Sequence, residues 1–115
     1  MSRPTLHMVP AAVWNGRDPT APYVPAAFAG DGFVHCTDGD EGMVATANRF
    51  YRDEPRPFLV LTLDLDATGS PWRFDDPERR FPHIYGPIAA AAVTDVRRMV
   101  RDADGAFTGI VPLEG

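Results

Sequence analysis

Two short segments of this 115-residue chain each place a histidine two residues before a hydroxyl side chain. They are "GFVHCT", with His35 and Thr37, and "FPHIYG", with His83 and Tyr85. Because side chains alternate along an extended strand, each histidine shares a face with its hydroxyl partner. Imidazole titrates near neutral pH and can act as a general acid or base, and hydroxyls donate and accept hydrogen bonds. If both units face one cleft, they predict a site for a polar ligand such as a ribose, a phosphate or an amide.

A charged segment, "RFDDPERRF", lies just before the second unit. Its Asp75 and Glu78 are candidate acids beside His83, although a run of charges is more often a solvated loop. The lone cysteine, Cys36, projects away from its neighbour His35 if the segment is extended. Adjacent residues on a strand therefore cannot form a cysteine–histidine nucleophilic pair, and Cys36 is expected to be a small buried side chain.

Each of these residues also has a purely structural interpretation. A histidine on a short strand often bonds backbone groups in a core, and Thr37 could simply cap a helix. Trp14 and Tyr23 could line a ligand pocket, although aromatic side chains more often fill cores. A zinc site from the three histidines is arithmetically available, but no pair of them has helical i, i+4 spacing. We therefore expect no metal site.

Composition limits the class of protein. Apolar residues make up 44% of the chain and charged residues 23%, as in globular domains. The net charge is −5 and no basic block exists, so we expect neither duplex nucleic acid nor an anionic membrane surface as a partner. One cysteine excludes an internal disulfide and fits a reducing compartment. With no signal-peptide pattern and no apolar run long enough for a bilayer, the sequence predicts one cytoplasmic domain over residues 1–115, and it indicates no oligomeric state.

The elements that position the histidine units follow from hydrophobic pattern and turn residues. The sequence predicts a strand at "TLHMV", a helical turn at "PAAVWNG" and a second strand at "FVHCT". Thr37 or Asp38 would then cap a helix that Pro55 ends. The apolar face of that helix comprises Met43, Val44, Ala47, Phe50 and Tyr51.

The second half of the chain is predicted to be mostly strand. "FLVLTLDL" is apolar on both faces and reads as a central strand, and "PWRFD" as a short one. Alanines 89–92 favour a helical turn near residues 87–91. Residues 93–100 could continue that helix or form a strand, and the hairpin signal Asp104-Gly105 favours the strand. The sum is a single small α+β domain with one main helix (about residues 40–52), short helical turns and a mixed, mostly antiparallel sheet.

Several segments together resemble a known family. "GFVHCT", "EGMVATANRFY", "FLVLTLDLD" and above all "FPHIYGPI" look like the small bacterial family known as domain of unknown function 952, over almost the whole chain. That family is similar in fold to the ADP-ribosyltransferase group, which includes the RNA 2′-phosphotransferases. The resemblance implies an ADP-ribosyltransferase-like fold. In that group a strand-borne histidine or arginine and a nearby hydroxyl hold nicotinamide adenine dinucleotide (NAD), and a glutamate often completes catalysis.

The same resemblance assigns residues to roles. Asp75 stands where the family often has a glutamate after the Trp-containing strand, Glu41 lies in the acidic pair at the helix start, and His7 lies on the first strand, where transferases can carry a ligand-binding histidine. The candidate catalytic residues are His35, His83 and Asp75. The candidate ligand contacts are Thr37, Tyr85, Glu41, Trp14 and Tyr23, with NAD as the candidate cofactor.

Different functions remain open on the sequence alone. One is a nucleotide-binding protein, of the NAD or ADP-ribose type, with ADP-ribosyl or phosphate transfer. Another is a non-catalytic binding or interaction domain whose histidines only cross-link the core. A third is a hydrolase that uses a histidine general base. They differ in whether His35 and His83 line one cleft that solvent reaches.

Overall fold

The computed structural model describes residues 2–25 and 28–113. In chain order its helices and strands are β1 (Pro4–Pro10), α1 (Ala11–Asn15), α2 (Phe28–Asp31), β2 (Val34–His35), α3 (Asp40–Phe50), β3 (Phe58–Asp64), β4 (Trp72–Phe74), β5 (Pro82–Ile84), β6 (Val93–Arg101) and β7 (Phe107–Pro112). Two 3₁₀ turns, Leu65–Ala67 and Ala90–Ala92, join strands in the second half. Among the described residues, no helix combines the length and apolar character needed to cross a membrane.

A four-stranded antiparallel sheet in the order β1-β3-β6-β7 forms the larger layer. As predicted, β3 is central, and its alternating leucines pack on one face while Phe58 and Val60 pack on the other. The hairpin that Asp104-Gly105 indicates is confirmed, because β6 and β7 pair on either side of it. Burial on both faces explains why β3 is apolar throughout.

A second, three-stranded antiparallel sheet in the order β2-β5-β4 lies beside the first. The prediction of one mixed sheet is therefore wrong for the described residues, which form two separate antiparallel sheets. Strand β2 is short because the N–H of Cys36 bonds the carbonyl of Pro82 at 3.0 Å, and Pro82 has no N–H to return. Thr37 pairs instead with Leu6 on β1, so the chain passes there from the small sheet to the large one.

Helix α3 covers one face of the large sheet. Met43 and Ala47 are buried between the helix and this sheet face, in one cluster with Phe58 and Val60, as the apolar pattern predicts. Phe50 was expected on the same face but is 66% exposed, since the helix ends there. The predicted side-chain cap from Thr37 or Asp38 is also wrong: Gly39 precedes the helix with φ 80° and no side chain caps it.

The opposite face of the large sheet packs against the small sheet and α1. A second cluster of buried side chains fills the space between these layers, and it includes Trp14, Val34, Cys36 and Ile84. Because Val34 and Ile84 alternate with their neighbours, His35 and His83 project from the other side of the small sheet. The core thus holds one face of the small sheet and leaves the other accessible.

Candidate functional site

The accessible face of the small sheet brings His35 and His83 together. Antiparallel pairing places His35 directly opposite His83, and Arg73 opposite His83 on the next strand. Opposite residues of an antiparallel pair share a face, so the three side chains form one row. The imidazole centroids of His35 and His83 lie 5.5 Å apart. We call this surface the histidine face; it comprises Phe33, His35, Arg73, Asp75, His83 and Tyr85.

Asp75 organises one half of the histidine face. Its Oδ2 lies 2.8 Å from Nδ1 of His83 and accepts the hydroxyl of Tyr85, and its Oδ1 accepts Nε of Arg73 at 2.7 Å. The hydrogen bonds from Tyr85, His83 and Arg73 lower the pKa of Asp75 to about 2. An ionised carboxylate only accepts, so Nδ1 of His83 carries a hydrogen, and in the neutral ring the lone pair lies on Nε2. Asp75 thus sets which nitrogen of His83 can accept a proton.

The carboxylate has the reverse effect on Tyr85. Its hydrogen bond to Asp75 raises the pKa of the Tyr85 hydroxyl. The phenol therefore stays protonated and acts as a neutral hydrogen-bonding group, not as a base. The guanidinium of Arg73 lies 4.4 Å from the centroid of the Tyr85 ring, which places a cation over the same edge of the face.

His35 also has a carboxylate partner, but it contacts that partner through Nε2, whereas His83 uses Nδ1. Its Nε2 lies 2.8 Å from Oδ2 of Asp31, which leaves Nδ1 directed away from that contact. The side chain of His35 is 56% exposed and that of His83 only 17%. Phe33 accounts for the lower exposure, because its ring stacks on His83 at a centroid distance of 3.9 Å. The two carboxylate–imidazole pairs therefore differ in which ring nitrogen contacts the carboxylate.

A cleft of about 260 Å³ adjoins the histidine face. Phe33 and His35 belong to both, so they form the rim between them. The cleft walls are mostly apolar and aromatic, and they include Val9, Phe28, Tyr51 and Phe58. Its polar lining comprises His7, Tyr23, His35, Thr37, Thr46 and Arg56. Such a cavity, apolar with a few converging polar groups, is typical of small-molecule sites.

His7 lies inside this cleft and is buried. Its Nδ1 lies 2.7 Å from the carbonyl oxygen of His35, and its Nε2 lies 2.9 Å from the hydroxyl of Tyr23. Burial lowers the pKa of His7 to about 4, so the ring is neutral near pH 7. The family resemblance places His7 where transferases can carry a ligand-binding histidine, although His7 was not among the candidate ligand contacts. A further signal in the sequence is that His7 is a lone titratable residue within the apolar strand "TLHMV".

The structure separates the other candidates. Thr37 and Tyr23 line the cleft, whereas Trp14 packs in the core beneath the guanidinium of Arg17 and borders a second cavity of about 240 Å³. Glu41 is exposed in the first turn of α3 and does not line the cleft. Reasoning from the sequence also missed Asp31, whose link to His35 depends on a short helix that the pattern did not define.

Cys36 is buried and faces away from His35, as strand alternation predicts. Burial raises the pKa of its thiol, which keeps it protonated and unreactive. Over residues 2–25 and 28–113, no three histidine, cysteine or carboxylate side chains are placed to hold a metal ion.

Solved structures share this fold. The crystal structure of CC0527 from Caulobacter crescentus has a TM-score of 0.74 and 25% sequence identity, and the match covers 92% of this chain and 94% of that chain. A double mutant of CC0527 gives a TM-score of 0.73 with the same identity and coverage. The solution NMR structure of CC0527 gives 0.67, with 89% of each chain covered. No curated protein matches the sequence.

A family model also matches the chain. It covers residues 8–96 and carries the description "Protein of unknown function (DUF952)". The matched range contains both histidine units, Asp75 and most of the residues that line the cleft. Since it spans well over half of the sequence, this chain belongs to the DUF952 family.

Proposed function

We propose that this protein binds a nucleotide-type ligand of the NAD or ADP-ribose class, with a ring in the cleft and a ribose at the histidine face. One observation carries the proposal: His35 stands at the rim of a cleft with aromatic walls, and His83 lies directly opposite it on the neighbouring strand. Apolar and aromatic walls suit a planar heterocycle. Imidazoles and the Tyr85 hydroxyl suit the vicinal hydroxyls of a ribose.

The size of the cleft supports a ligand of which only one part enters the cleft. Its volume of about 260 Å³ is below the roughly 300–1,000 Å³ of a site that encloses a whole drug-sized molecule. One ring with part of a sugar fills it, and the remainder of a dinucleotide lies outside. Arg73 on the histidine face and Arg56 in the cleft lining are the cations available to its phosphates.

The open edge of β1 adds main-chain hydrogen-bonding groups. In an antiparallel ladder, alternate residues direct their N–H and C=O groups to opposite sides. Leu6 directs both of its groups outward to Thr37. Met8, two residues further on, has the same orientation and lines the cleft. A ring with a donor beside an acceptor could pair with this edge.

The histidine face also supports group transfer, and we include it in the proposal. In ADP-ribosyl transfer, an acceptor hydroxyl would give its proton to Nε2 of His83 while its oxygen bonds to C1′ of the ribose. The bond from C1′ to nicotinamide breaks, and its electron pair leaves with the nicotinamide nitrogen. Asp75 holds Nδ1 of His83 and stabilises the imidazolium that forms. The two packed antiparallel sheets, with the cleft where they meet, support placing the chain near the ADP-ribosyltransferase fold.

NMR spectroscopy of the histidine rings tests the proposal. Saturating NAD or ADP-ribose should shift the ring resonances of His35 and His83, and His35→Gln should weaken the binding. Arg98→Gln is the control, since Arg98 is exposed on β6 and does not line the cleft. If neither ligand perturbs either ring, the nucleotide proposal is wrong. Release of nicotinamide from NAD, followed by chromatography, tests the transfer step separately.

A further inference from the structure

The inner wall of the cleft contains a tyrosine whose hydroxyl hydrogen is already committed. Nδ1 of His7 faces the carbonyl oxygen of His35 at 2.7 Å, and a carbonyl only accepts, so Nδ1 carries the ring hydrogen. The ring is neutral because burial lowers the pKa of His7 to about 4, and Nε2 therefore has a lone pair. The Tyr23 hydroxyl, 2.9 Å from Nε2, must donate to it.

Tyr23 consequently offers a ligand only the lone pairs of its oxygen. Tyr23 is 7% exposed and lines the cleft, and burial raises the pKa of the phenol, so it stays neutral. A ligand group beside that oxygen has to bring an N–H or O–H donor. A carboxylate would face oxygen lone pairs within apolar walls, where an uncompensated charge is strongly disfavoured.

Thr37 is a second polar group held in the same cleft. It is only 4% exposed, and both its main-chain groups pair with Leu6, at 2.8 and 3.1 Å. Its hydroxyl has no hydrogen-bond partner in the part of the chain that the structure describes. Because Thr37 lines the cleft, its hydroxyl is open to a hydrogen bond from a ligand there.

We propose that Tyr23 and Thr37 select an uncharged ring that carries an N–H donor beside an acceptor, and that they reject the analogue without the N–H. A carboxamide-bearing ring and an amino-substituted heterocycle share this chemistry. The inference rests on the proposed function and narrows it to the ring-binding end of the ligand. The anionic part of the ligand then lies toward Arg56 and the histidine face.

Two matched ligand pairs test this selection on the unmodified protein. Nicotinamide is compared with nicotinate, and adenosine with purine riboside, which lacks the amino group. In at least one pair the N–H-bearing ligand should bind about tenfold more tightly by NMR titration, and that pair identifies the ring. The inference is wrong if neither pair shows a preference. It is also wrong if none of the four ligands binds while ADP-ribose shifts the histidine resonances.

Variants separate selection from a structural role. Tyr23→Phe should bring the affinity ratio of the discriminating pair close to one, and Thr37→Val should reduce it. Thr108→Val is the matched control for Thr37→Val, because Thr108 is exposed on β7 and does not line the cleft, and it should leave the ratio unchanged. If Tyr23→Phe weakens both members of a pair equally, Tyr23 only supports the fold. No response of His35 or His83 to NAD or ADP-ribose would contradict the proposed function itself.

Discussion

The three histidines of this chain occupy two contrasting surroundings. His7, inside the cleft, has both ring nitrogens held by neutral groups, a carbonyl and a phenol, and burial favours its uncharged form. His35 and His83, on the histidine face, each contact one carboxylate, and among the described residues the other ring nitrogen has no hydrogen-bond partner. The same residue type therefore serves in one place as a fixed hydrogen-bonding element and in the other as a group able to exchange protons. The partner and the burial, not the residue type, set the role.

The largest expected effect is a difference in protein stability between substitutions on the two sides of β5. Ile84 is fully buried, so Ile84→Ala should destabilise the protein by roughly 2–5 kcal/mol, whereas His83→Ala on the accessible side should cost about 1 kcal/mol or less. Urea unfolding followed by circular dichroism measures both. A cost for His83→Ala equal to that of Ile84→Ala would favour the non-catalytic interpretation, in which the histidines cross-link the core.

The pH dependence of stability sharpens the contrast between His7 and the exposed pair. The pKa of His7 falls from an ordinary 6.5 to about 4 on folding, so its contribution is complete above pH 6.5 and is lost as the pH falls toward 4. The full loss amounts to roughly 3 kcal/mol. Urea unfolding between pH 7 and 4 should therefore show a steeper decline for the wild type than for His7→Gln.

His35→Gln is the control for that comparison, because more than half of the His35 side chain is in solvent. It should decline with pH nearly as the wild type does. If His7→Gln and the wild type show the same slope between pH 6.5 and 4, the neutral His7 and the donor role assigned to Tyr23 are both wrong.

Arg56 tests where the anionic part of the ligand lies. Arg56→Gln should weaken ADP-ribose binding roughly fivefold, because an exposed charge pair contributes up to about 1 kcal/mol. Adenosine has no phosphate, so its affinity should not change. Arg98→Gln is again the control. Calorimetric titration gives the affinities, and equal losses for both ligands would place the phosphates elsewhere.

The smallest expected effect concerns which nitrogen of the His83 ring carries the hydrogen. Asp75→Asn removes the ionised carboxylate that keeps the hydrogen on Nδ1 of His83. The ¹⁵N shifts of His83 should then move toward a mixture of tautomers, while those of His35 stay unchanged. Asp31→Asn should give the converse result, since Asp31 contacts only His35 of the pair. If the ¹⁵N shifts of His83 do not change in Asp75→Asn, then Asp75 does not position the His83 ring.

Much of the local structure could be predicted from the sequence. The apolar run of β3, the helix near residues 40–52 and the Asp104-Gly105 hairpin each depend on neighbouring residues, so pattern and turn chemistry find them. The capping of α3 was not predictable in the same way, because Asp38 was an acceptable cap but forms an ion pair with Arg3 at 2.6 Å instead. That contact joins residues 35 positions apart, which no local rule includes.

The sequence by itself determined two of the side-chain directions: alternation alone places Tyr85 on the face of His83 and turns Cys36 away from His35. Only the tertiary structure decided that the two histidines stand opposite each other, because strand register depends on which strands pair across the fold. It also decided the fate of Thr37, which leaves the histidine face to pair with Leu6 at the edge of the cleft. Burial, finally, made His7 a neutral partner of Tyr23, and burial is a property of the packed chain rather than of any segment of it.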